Sequence, residues 1–145
     1  MLAKDLKTPT EMGSTTHTAI ADIHRVAERH LEVHVRECVR IDGTGIAQVM
    51  QERQRLCGDE RVVVMLTLPP ELDLDLGIMN VDHYKVNDAM DGIIAMAVLA
   101  EGTMSETMAR LYIAFFPPVF PLQVFTTREE AERWLSERLL SGAAR

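Results

Sequence analysis

Five histidines, two cysteines and one acidic alternation are the residues whose types could carry chemistry in this 145-residue chain, and their spacing decides what each could do. His24, His30 and His34 fall in one segment. On an extended strand His30 and His34 share a face about 13 Å apart at about 3.3 Å per residue, too far for both to reach one ion about 2 Å from each nitrogen. On a helix the same pair becomes an i,i+4 couple able to chelate, so metal binding and the local period stand or fall together. The strand reading leaves solvent-facing imidazoles and no metal site. His83 lies on the apolar stripe of a later helix and reads as a satisfied, partly buried histidine.

A nucleophile needs a base within hydrogen-bond reach and a third group to orient that base; neither Cys38, Cys57 nor any serine has such neighbours in sequence. Gly43-Thr44-Gly45 is too short to cradle a phosphate and lacks the lysine that would reach one. Glu71, Asp73 and Asp75 alternate in a way that could face a hard cation, but without calcium-loop spacing they read as a solvated rim. No catalytic residue, metal ligand or cofactor is expected. An enzyme stays open only through sites assembled from distant loops.

The elements that must position these residues follow from periodicity. Ile93–Leu99 is an apolar run short enough for a strand buried on both faces, ended by Glu101-Gly102. Thr103 and Glu106 have capping-box spacing, and Met108, Leu111, Tyr112 and Phe115 form the stripe of a helix stopped by Pro117-Pro118. Leu122–Phe125 is the next strand. Thr127 and Glu130 repeat the capping spacing before Ala131, Trp134, Leu135 and Leu139 of a final helix.

Upstream, Thr18 to Val35 is read as a hairpin turning at Ala27–His30, although Ile20, Ile23, Ala27 and Leu31 also have helical spacing. Asp42 or Thr44 caps a helix with the stripe Ile46, Val49, Met50 and Cys57, closed by Gly58. Val62–Leu66 is a buried strand that Pro69-Pro70 ends. Leu76, Met79, Val86 and Met90 mark another helix ending near Gly92. The order β-β-α-β-α-β-α-β-α predicts an α/β fold: a mainly parallel five-stranded sheet, an N-terminal hairpin and about four helices.

Composition limits the partners. The length suits one domain, expected over residues 17–140 after a flexible leader of residues 1–16 and before a tail of residues 141–145. A net charge of −7 argues against capture of nucleic acid or of an anionic membrane surface. Two cysteines give no disulfide framework, and with no signal-peptide core a cytoplasmic location is expected. No window reaches the roughly 18 apolar residues of a membrane span.

Arg61-Val-Val-Val-Met-Leu-Thr-Leu68, Asp91-Gly-Ile-Ile-Ala-Met-Ala-Val98 and the stretch from Pro118 through Phe125-Thr-Thr-Arg-Glu-Glu-Ala-Glu-Arg-Trp-Leu135, taken with this element order, resemble the STAS-like superfamily over residues 18–139. The chain is similar to the small stand-alone bacterial branch of that family. The resemblance implies the fold and a regulatory or binding role in place of catalysis, though fold alone never delivers function. Anti-sigma-factor antagonists of this family carry Asp-Ser-Ser-Gly, with the second serine phosphorylated. The matching stretch here is Asp73-Leu74-Asp75-Leu76, so the resemblance implies that no hydroxyl remains to be phosphorylated. Asp75 then either mimics part of a phosphoserine or caps the following helix.

Two functions fit these features. One is a protein-interaction module that meets its partner through Leu72, Asp73, Leu74 and Asp75, an acidic lip beside leucines. The other is a carrier or sensor of a small apolar, lipid-like ligand in a pocket formed by Met108, Tyr112, Phe115, Phe116 and Phe120, since methionine and aromatic side chains line adaptable pockets. A homodimer is expected from the open sheet edge and the apolar bend at Phe115 to Phe120.

Overall fold

The computed structural model describes residues 14–75 and 77–143. The N-terminal part forms a meander of β1 (Thr15–His17), β2 (Ala21–Ala27) and β3 (His30–Val35). The β2–β3 pair is antiparallel, with Ile23 opposite Val33 and His24 opposite Glu32, so the strand period governs the histidine segment. A two-residue strand β4 (Arg40–Ile41) leads into helix α1 (Gly43–Cys57). Asp42 caps α1 by accepting from the Gly45 N–H at 2.7 Å. Gly58 closes it at φ +56°, backbone that a side chain disfavours.

Strand β5 (Val62–Leu68) comes next, followed by β6 (Asp73–Leu74), a 3₁₀ turn at Ile78–Asn80 and the short helix α2 (His83–Val86). Then come β7 (Ile93–Ala100), α3 (Thr103–Phe115), β8 (Leu122–Phe125) and α4 (Arg128–Ala143). The main sheet runs β1-β2-β3-β5-β7-β8, parallel from β3 onward, while β4 and β6 form a separate parallel ribbon. Every residue of β7 is buried, as a central strand covered on both faces requires.

One sheet face carries Ile23, Leu31, Val33, Val62, Val64 and Met96, beneath α1, α2 and α3. The other carries Val63, Met65, Ala95, Ala97 and Phe125, beneath Ala131 and Leu135 of α4. Each set alternates along its strands, which is how a two-residue period feeds two cores. Thr127 Oγ1 donates to Glu130 at 2.9 Å at the head of α4, where the capping spacing placed it.

Several expectations are corrected. The main sheet has six strands, not five, because β1 pairs on the outside of the hairpin. Thr15 and Thr16 therefore belong to the folded domain and not to a leader, and α4 runs into the expected tail as far as Ala143. No long helix spans the described residues 77–92. Gly77 and Gly92 at positive φ, Asp88 at φ +52° and the Asp82 cap of α2 break that stretch into turns, and Leu76 lies outside the described residues. At α3 the N-cap is Gly102, with no side-chain cap bond, so Thr103 and Glu106 form no capping box. A Cβ on Gly102 would stand 2.8 Å from Pro70 Cα, and only glycine lets the two chain segments approach this closely.

Candidate functional site

Helix α1 packs over the β2 side of the sheet and α3 over β7 and β8. Between them lies an apolar cavity of about 210 Å³. Its floor is the inward face of the parallel strands, with Val33, Leu66, Val98 and Met96. Ile46, Val49 and Met50 of α1 form one wall; Met108, Ala109, Tyr112 and Ile113 of α3 form the other. The β4–β6 ribbon roofs it with Ile41, Leu72 and Leu74, and the turn after the ribbon adds Ile78, Met79, His83 and Tyr84. Adjacent strand residues point to opposite sides, so Ile41 and Leu74 face inward while Arg40 and Asp73 face solvent.

The polar groups at the cavity are tied up within the protein. The Tyr112 hydroxyl donates to the Val81 carbonyl at 2.6 Å and accepts from the His83 N–H at 2.8 Å. His83 Nε2 sits 3.0 Å from the Ile78 carbonyl, and Tyr84 donates to Met96 Sδ at 3.2 Å. Burial pushes the Tyr112 phenol upward, partly offset by the bond from His83, and pushes Tyr84 much further up. Both phenols stay neutral at physiological pH. A site with this lining can exclude water and take an uncharged apolar body, and no hydroxyl or imidazole in it is disposed as a nucleophile with a base.

The two residue groups singled out in the sequence meet here in part. Leu72 and Leu74 line the cavity together with Met108 and Tyr112. Asp73 and Asp75 lie on the outer side, where Arg40 bonds both, at 3.2 Å and 2.9 Å. Asp75 caps no helix: the following turn has Gly77 at its N-cap and no side-chain cap bond. Phe116 packs on Tyr112 at 5.2 Å between ring centroids but does not line the cavity. Phe115 is 61% exposed, and Phe120, 7% exposed, packs edge-on against Tyr84 outside the cavity.

The stripe expected on α3 is rotated: Leu111 and Phe115 face solvent, whereas Ser105, Ala109 and Ile113 turn toward the sheet. Residues such as Val33, Met50 and Met96 were legible as core but not as cavity lining. Only the abundance of methionine, nine in the chain, hinted at adaptable packing.

The histidines do not converge on an ion. Among the described residues no group of three or more histidine, cysteine or acidic side chains could hold a metal. His34 Nε2 bonds Glu32 at 2.9 Å, His24 Nδ1 bonds Thr15 at 2.9 Å, and His30 is half-buried instead of solvent-facing, its imidazole pushed toward the neutral form by burial. Cys57, the last residue of α1, is buried, as its stripe position implied, and burial raises its thiol. Cys38 is exposed. No described helix is long and apolar enough to cross a membrane.

Comparison with solved structures finds a similar fold in an uncharacterized protein of the DUF3478 family from Shewanella loihica PV-4, described as SpoIIAA-like. The TM-score is 0.55 at 20% identity, covering 86% of this chain and 99% of that one. This shows the fold alone, and it agrees with the STAS-like resemblance read from the sequence. No curated protein matches the chain. A sequence model for a domain of unknown function, DUF7793, matches residues 26–139, and the chain belongs to that family.

Proposed function

We propose that this protein is a carrier or sensor of a small apolar molecule held between the sheet and helices α1 and α3. The observation that carries the reading is the cavity, whose polar groups already have partners inside the protein. A void of about 210 Å³ left empty deprives its apolar lining of packing partners on one side. Water gains little there, because it would find few free hydrogen-bond partners. An apolar guest restores those packing partners.

The interaction-module reading draws less support. Leu72 and Leu74 turn inward as cavity roof, and Arg40 bonds both Asp73 and Asp75, offsetting one of their two charges. A partner would find the leucines turned away and the acidic lip reduced to one net negative charge.

Four methionines line the cavity, Met50, Met79, Met96 and Met108, and their ¹³C-labelled methyl groups report its contents. Titration with toluene should shift these resonances saturably, and native mass spectrometry of gently purified protein should show mass beyond the bare chain. A bare mass together with unmoved methyl signals would overturn the reading.

A further inference from the structure

A second pocket, of about 330 Å³, shares no lining residue with the cavity. It lies at the opposite end of the parallel strands: Arg61 precedes β5, Gly92 precedes β7 and Pro121 precedes β8. Helix α4, running back along the sheet, brings Arg138 and Ser141 to the same place.

What sets the pocket apart is its charge. Among the described arginines, Arg25, Arg36, Arg40, Arg55, Arg110 and Arg128 each pair with a carboxylate, and Arg29 and Arg53 donate side-chain N–H groups to carbonyls. Arg61, Arg133 and Arg138 do neither, and of these three Arg61 and Arg138 line the pocket: among the described residues the Arg61 guanidinium has no ion pair or hydrogen bond, and Arg138 only stacks over the Trp134 ring at 5.1 Å. In a chain of net charge −7, two uncompensated guanidinia on one pocket are a concentration of unused donors. Val119, 83% exposed, and Pro121 also line the pocket and add apolar surface to it.

The same lining limits how much negative charge fits. Asp91 contributes a carboxylate with no ion-pair partner among the described residues, and the end of α4 near Ser141 carries the negative pole of the helix dipole. A dianion would be repelled by both. A monoanion of planar, forked geometry suits guanidinium donors best.

We propose that this pocket binds a monocarboxylate with a small apolar body, the carboxylate against Arg61 and Arg138 and the body against Val119 and Pro121. It is independent of the apolar cavity and of whatever that cavity holds.

Benzoate is the probe, titrated at low ionic strength while following the Gly92 amide and the Trp134 indole N–H, the chain having one tryptophan. Both signals should move saturably with benzoate and stay still with benzamide, its neutral analogue. R61A and R138Q should each weaken binding roughly tenfold or more, as loss of a hydrogen bond to a charged group does. R133A, an arginine of the same helix outside the pocket, should bind like the parent protein. The proposal is overturned if benzoate gives no saturable shift, if benzamide matches it, if inorganic phosphate binds more tightly, or if R61A retains full affinity. None of these outcomes depends on whether toluene enters the cavity.

Discussion

Arg40 Nη2 donates to Asp75 Oδ1 at 2.9 Å on the outside of the ribbon whose inner side puts Ile41 and Leu74 over the cavity. The ribbon stands apart from the main sheet and has only two residues in each strand. The Arg40 bridge to Asp73 and Asp75 and the bond from the Asp75 N–H to the Ile41 carbonyl pin this roof together with the packing of Ile41, Leu72 and Leu74 on the core.

In R40A the roof should open locally while the domain stays folded, since exposed ion pairs add little to global stability. The expected outcome is faster hydrogen exchange at the Asp75 amide, faster exchange of a cavity guest and an almost unchanged melting temperature. Exchange at Asp75 equal to that of the parent protein would show that the bridge does not hold the ribbon.

Filling the void should separate ligand binding from folding. Ala109 lies on the α3 wall of the cavity, so Ala109→Leu places extra methyl groups where a guest would sit. We expect a gain of about 1 kcal/mol in urea unfolding, typical of cavity filling, with toluene affinity reduced at least tenfold. A stabilised variant that still binds toluene as the parent does would place the guest elsewhere.

The ease of reading the chain varied with how local its signals are. Helix α1 was legible because Asp42 and Gly58 each act on the backbone beside them, and β7 because eight consecutive buried residues admit little else. The rotation of α3 was not legible. That helix is apolar nearly all round from Met108 to Phe115, so its period has no unique phase, and the inward positions include the small Ser105 and the half-buried Ala109, which no hydrophobic stripe flags. Between Gly77 and Gly92 the apolar spacing suggested a helix, yet Gly77, Asp82, Asn87, Asp88 and Gly92 are turn and cap residues that outweigh it. The pairing of Asp75 with Arg40 spans 35 positions and leaves no local trace, so a cap was the natural but incorrect reading.

Tyr112 joins α3 to the segment before α2 through both sides of its hydroxyl. Tyr112→Phe leaves the Val81 carbonyl and the His83 N–H without that partner in a half-buried place, a loss of about 1–3 kcal/mol. Urea denaturation should read a drop of this size. No measurable change would mean that water replaces the hydroxyl on both groups.

Alkaline pH tests the burial of the same region. The Tyr84 and Tyr112 phenols are both raised above their ordinary value of 10.0, chiefly by burial, so the folded protein holds these protons more tightly than the unfolded chain. Their stabilising contribution is complete below pH 10 and is lost as pH climbs toward the folded values. Tyr84→Phe, which removes the more strongly raised of the two phenols, should abolish most of the alkaline decline. A decline of unchanged steepness in this variant would assign it to other groups.

On the opposite face of the sheet, Glu32 governs the acid limb. It is 5% exposed, accepts from His34 Nε2 at 2.9 Å and pairs with Arg128 at the start of α4. Burial by itself would raise its carboxyl, but the His34 hydrogen bond and the Arg128 charge outweigh that and hold it below the ordinary 4.5. The folded state therefore releases this proton more readily than the unfolded chain. Its contribution is present above pH 4.5 and drains away as pH falls through the lower folded value. Glu32→Gln should be less stable than the parent at neutral pH, because Arg128 loses its buried counter-charge, and should lose less with further acidification. Some slope must remain, since Asp22 is also held low, first by its hydrogen bond from His17 and also by Arg36. Urea midpoints taken at neutral pH and in steps below 4.5 decide the matter: parallel curves for the two proteins would mean that the Glu32 proton is not linked to folding.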